Sequence, residues 1–145
     1  MTTLATFFKG SGTQFGIFYP RDYMIAIFKN YAPAEISVRR LRDAGFKPDN
    51  AIAVPGEEVV RFAEENLKKK GLWALLMQEL SRIFETEEVY ADRDLHLASE
   101  GAGFVAIHCP TDAVKDNAWT LLEPMHPLVA RYYRLGGVEH LKGEV

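Results

Sequence analysis

Two residues able to do chemistry stand side by side, His108 and Cys109, at the end of the apolar run in "GFVAIHCPTDA". A cysteine nucleophile needs a base within hydrogen-bond reach and surroundings that lower its pKa. The run reads as a β-strand, in which successive side chains point to opposite faces. Alternation therefore splits the pair. Cys109 joins Val105 and Ile107 as a small buried hydrophobe, while His108 joins Phe104 and Ala106 on the other face. His108 is left as the candidate ligand contact, with Phe104 and the aromatic Tyr132 as its expected companions on an open sheet face.

Other chemistry is harder to assemble. Asp92 and His96 are four residues apart, on one face if the segment is helical, but His108, His126 and His140 are scattered and no CxxC or HExxH spacing occurs. No metal-ligand set or cofactor can be named. "KGSGTQFG" is glycine-rich but precedes a strand instead of opening a helix, so it lacks the helix N-terminus that anchors phosphate and reads as a flexible lead. "EGAGFVAI" resembles the strand-three octamer of RNA-recognition domains in its glycines and Phe104-Val105. Glu100 stands where that motif carries a base, and Ala102 and Ile107 where it carries platform residues. A net charge of −3 and a pI near 5.8 give no attraction for a phosphate backbone or anionic lipid. Nucleic acid and membrane are excluded as partners.

The elements that position these residues follow from local pattern. In "QFGIFYPRDYMIAIF", residues 14–28, Tyr23, Ile25 and Ile27 alternate with Met24, Ala26 and Phe28, so both faces are apolar, as in a central strand. A helix follows with Pro33 in its first turn and Ala34, Val38 and Leu41 at helical spacing. Gly45 closes it and Phe46 packs back. "AIAV", residues 51–54, is a second strand. The tail repeats the plan: the strand at 103–109, then a helix capped by Thr111 with Val114, Ala118, Leu121 and Leu122 inward, then "PLVARYYRLGGVEHL", a strand broken at Gly136-Gly137 into a ribbon.

Between the halves, residues 56–100 read as helical. Val59, Phe62, Ala63 and Leu67 share one face, and "LWALLMQELSRIFE" carries a wide stripe including Trp73, Leu76 and Leu80. That stripe is the candidate partner surface. "EEVYADRDLHLASEG" reads as a third helix ending at Gly101, although "DLHLA" also alternates like a strand. The expectation is one domain over 1–145, α+β, a ferredoxin-like sandwich of two split β-α-β halves (14–54 and 103–141) on an antiparallel sheet, with a helical insertion at 56–100.

The second half, "YADRDLHLASEGAGFVAIHCPTDAVKDNAWTLLE", is similar to the bacterial general stress proteins of the heat-induced type, and "LRDAGF" with its Asp-Asn turn fits their first half. The resemblance covers about two-thirds of the chain as a pattern of apolar positions and glycines. It implies a ferredoxin-like fold and a stress or regulatory association, and supplies no catalytic residues. The bulky "GLWALLMQELSRIF" departs from the Gly/Ala-rich hairpin common in that family.

One cysteine cannot form an intramolecular disulfide, no leader is evident at the N-terminus, and no run approaches the roughly 18 apolar residues of a spanning helix. A cytoplasmic location is expected. The functional expectation is a non-catalytic interaction or ligand-sensing module, homodimeric because one apolar sheet face would otherwise be exposed. The runner-up is a small-molecule, haem or metal-binding protein using His108, and the third reading is an enzyme of the dimeric α+β barrel type.

Overall fold

A computed structural model of the protein describes residues 13–14, 17–18, 21–61, 93–134 and 136–142. The chain is α+β. A two-stranded ribbon of β1 (Thr13–Gln14) and β2 (Ile17–Phe18) precedes the main sheet. Thr13 and Gln14 of the lead expected there are thus in a strand, and within the segment expected as one strand over 14–28 the main-sheet strand is Tyr23–Phe28. The main sheet has five strands, β3 (Tyr23–Phe28), β4 (Ala51–Pro55), β5 (Gly103–His108), β6 (Val129–Arg134) and β7 (Gly137–Lys142). Their order is β4-β5-β3-β6-β7, antiparallel throughout. β3, apolar on both faces, is the middle strand, and all six of its residues are buried.

Two helices lie against one face. α1 (Tyr31–Asp43) buries Ala34, Val38 and Leu41 against Met24, Ala26 and Phe28 of β3 and Val105 and Ile107 of β5. Its end carries the hydrogen bonds that a left-handed glycine permits. Gly45 (φ 110°) donates to the Arg42 carbonyl at 3.0 Å, and Phe46 donates to Leu41 at 3.0 Å while its ring packs on the same core. Arg40 and Arg42 in the last turn complement the helix dipole. α2 (Asp112–Leu122) starts at Thr111, whose Oγ1 accepts from the Val114 amide at 3.2 Å. It buries Ala118 and Leu122, while Leu121, expected inward, is half-buried and Lys115 is buried in its place.

The opposite sheet face is covered as well. Residues 56–61 and 93–99 are helical, and Val59, Val60, Leu97 and Ala98 pack with Tyr23, Ile25, Ile27, Phe104, Ala106 and Val129. The helical segment 93–99 ends as α1 does: Gly101 (φ 96°) donates to Ala98 and Ala102 donates to Leu97, both at 3.1 Å. This end presses on the chain at Gly56, where an added Cβ would lie 2.9 Å from the Ala102 carbonyl oxygen. A sheet with apolar residues on both faces needs a layer on each. The open face expected from the sequence is therefore closed within one chain, and the exposed surface that argued for a homodimer is absent from these strands. Among the described residues no helix is long and apolar enough to cross a membrane.

Candidate functional site

The second face is mostly apolar, and β6 places a charged residue on it. Val129, Arg131 and Tyr133 point to that side, and Arg131 is only 1% exposed. Ile25 lies directly opposite it on β3, and His140 opposite it on β7. The register between β6 and β7 shifts at this point, with Ala130 facing Lys142 and Arg131 facing His140. One residue more on β7 makes a bulge, a device that re-aims side chains and increases local twist. The Tyr133 ring lies 5.9 Å from the guanidinium carbon of Arg131.

Asp94, on the helical segment 93–99, meets Arg131 from above. Arg131 Nη2 donates to Asp94 Oδ2, whereas Asp94 Oδ1 is buried with no hydrogen-bond partner. The carboxylate is thus held through one oxygen, although a guanidinium can grip both. Burial dominates the Asp94 carboxyl and pushes its pKa up, outweighing the attraction and hydrogen bond of Arg131. The Asp94 side chain keeps 18% exposure, so the pair opens toward solvent at its acidic end only.

The three residues expected to share a ligand site are not brought together. His108 lies at the border of this face, paired in register with Tyr23, its ring centroid 4.8 Å from that of the tyrosine. Phe104 is on the same face but only 7% exposed, so it cannot serve as a stacking platform. Tyr132 belongs to the opposite face, buried with the α1 and α2 core, and its hydroxyl donates to the Cys109 carbonyl at 2.6 Å. Strand alternation decides this: residues 131 and 132 cannot face the same way. Trp73, Leu76 and Leu80 lie outside the described residues, as does Asp92.

Pattern reading missed Arg131, Asp94 and His140. The signal for the first was present in "LVARYY", where a charged residue occupies the inward register between Val129 and Tyr133. Nothing local could have supplied Asp94, 37 residues away in sequence. Of the histidines, His126 is exposed at a left-handed position (φ 57°) and His96 pairs with Glu100 at 2.5 Å. No group of three or more His, Cys, Asp or Glu among the described residues could hold a metal ion.

Cys109 is buried on the helix-backed face, and burial pushes its thiol up to about 12. At neutral pH it is a protonated core residue, since only the thiolate is nucleophilic. Native protein is expected to resist iodoacetamide at pH 7.5 and to react fully once unfolded in guanidinium. Stoichiometric labelling of the folded chain would contradict this placement.

A charged cluster ties α2 to the β6–β7 ribbon. Lys115 Nζ reaches Glu139 Oε1 at 3.0 Å and Asp116 at 3.2 Å, while Arg134 Nη2 reaches Glu139 Oε1 at 2.7 Å and Asp112 accepts from Nη1 at 2.8 Å. Burial raises the Glu139 carboxyl, but hydrogen bonds from Lys115 and Arg134 outweigh it and hold the group below the usual glutamate range. A depressed carboxylate pKa contributes stability above its unfolded value and loses it as pH falls through the folded value. Below about pH 4.3, the ordinary glutamate value, wild type should lose stability more steeply than Glu139→Gln in urea titrations at successive pH values. Parallel profiles would remove Glu139 from the account.

No protein-family model, curated protein or solved structure matches this chain.

Proposed function

We propose that the chain is a non-catalytic ligand-sensing module built on a ferredoxin-like sandwich, with the second sheet face as its ligand side. Strand pairing supports the fold reading. β3 and β4 both run antiparallel to β5 between them, and β5 and β6 both run antiparallel to β3 between them. Two interleaved β-α-β halves require this arrangement, and β7 adds a fifth strand. The stress association rests on the glycine and apolar pattern of the sequence.

The observation that carries the functional reading is a buried arginine on a face that packing alone would fill with aliphatic side chains. Such a charge costs several kcal/mol to desolvate, and Tyr133, Tyr23, His140 and His108 are further polar groups of the same face among the described residues. Ligand sites join an apolar lining to a few fixed polar groups of this kind. The runner-up, a metal or haem protein acting through His108, is favoured by the half-buried position of that ring against Tyr23.

Thermal unfolding against divalent metals, haem, flat aromatic cofactors and small organic anions tests both. A class that binds the native state raises the Tm in proportion to its occupancy. The expected result is a rise of several degrees with one class, abolished in Arg131→Met. A rise abolished only in His108→Ala favours the runner-up, and no rise with any class sinks both. Self-association through residues 56–100 is a separate part of the reading, and a monomer mass by light scattering sinks it.

A further inference from the structure

Resting on that ligand-side reading, we infer that Arg131 is the recognition group of a carboxylate-binding site and that Asp94 is its built-in occupant, displaced when a small organic carboxylate binds. Three independent features point there. The β6–β7 bulge falls opposite Arg131, a side chain that is 1% exposed on a strand that otherwise pairs regularly. The contact with Asp94 is incomplete: one oxygen is bound and the other is buried with no partner, so an internal carboxylate fills the place without using the two-pronged geometry a guanidinium offers. The opening lies on the Asp94 side, where 18% exposure gives an incoming anion a way in while the guanidinium stays sealed from water.

The surroundings set the ligand class. Ile25 lies across the sheet from Arg131, and the Tyr133 ring lies 5.9 Å from its guanidinium carbon. Both are buried, Ile25 at 9% and Tyr133 at 5% exposure, so the site takes a small carboxylate whose head replaces the Asp94 carboxyl on Arg131. Displacement frees the Asp94 side chain, while Leu97 and Ala98 keep the helical segment 93–99 on the sheet.

Removing the internal occupant tests the idea. Asp94→Ala should unfold at a lower temperature than wild type, and acetate or benzoate should restore most of the difference saturably. Chloride at equal ionic strength should not, and neither carboxylate should act on the Asp94→Ala/Arg131→Met double variant. A folded Asp94→Ala protein with no carboxylate-specific gain overturns the inference. Should that variant fail to fold, Asp94→Asn keeps the side-chain shape. It should bind benzoate at least tenfold more tightly than wild type by calorimetry, and equal affinity overturns the inference. The two readings fail separately. A ligand bound equally by wild type and Arg131→Met keeps the ligand side and removes the carboxylate site. A panel inert toward wild type beside a benzoate-rescued Asp94→Ala does the reverse.

Discussion

Replacing Asp94 by alanine is expected to destabilise the fold by about 3 kcal/mol, the lower end of the range for removing one partner of a buried ion pair. Arg131 is 1% exposed and cannot shed its proton, so the substitution removes the carboxylate that faces a buried cation. The companion experiment carries more information. Burial raises the Asp94 carboxyl in spite of Arg131, so the fold binds its proton more tightly than the unfolded chain does. That contribution is fully present below the unfolded carboxylate value and is lost as pH rises through the folded one. At neutral pH the ionised pair is therefore a weak source of stability. The Asp94→Leu/Arg131→Met double variant should equal or exceed wild type in urea unfolding at pH 7. A double variant as damaged as Asp94→Ala would mean that the pair is itself a net stabiliser, and would weaken the case for a functional origin.

Gly103→Ala should cost about 3 kcal/mol, at the upper end of what overpacking costs. An added Cβ would lie 2.6 Å from both the Asn30 carbonyl oxygen and Tyr31 Cα, and 2.9 Å from Ala34 Cβ. The first two are backbone atoms at the start of α1, so no rotamer can relieve the contact. Either the helix lifts from β5 or the strand shifts. Gly136→Ala is the control, because nothing lies within 4 Å of its added Cβ, and it should be neutral within about 0.5 kcal/mol. Equal urea midpoints for the two variants would show that α1 does not approach β5 this closely.

How much was legible can be judged from particular residues. The end of α1 was readable because a left-handed glycine followed by an apolar residue is a local event. Gly45 and Phe46 make the two hydrogen bonds that pattern implies. The N-cap at Thr111 and the break at Gly136–Gly137 were readable for the same reason. The identity of β3 as a central strand followed from apolar residues at every position, which only a strand covered on both faces tolerates.

What covers the second face was not legible. The sequence shows that Phe104 and Ala106 form an apolar side, but not whether a neighbouring subunit, a ligand or the chain's own helical residues close it. Only the folded chain decides that, by bringing Val59, Val60, Leu97 and Ala98 onto those strands. The sequence offers Tyr132 as an aromatic companion of His108 on one sheet face, whereas the structure puts the two on opposite faces. Their faces depend on the register of β6 against β3, a pairing between segments about a hundred residues apart.

By itself, the sequence determined the elements, their caps and the separation of His108 from Cys109. These depend on φ/ψ preferences and on side-chain alternation within a few residues. Only the tertiary structure decided that Asp94 would meet Arg131, and that the candidate site would centre on this pair instead of on His108. The physical reason is that a buried charge is defined by its partner, and no local pattern identifies a partner 37 residues away.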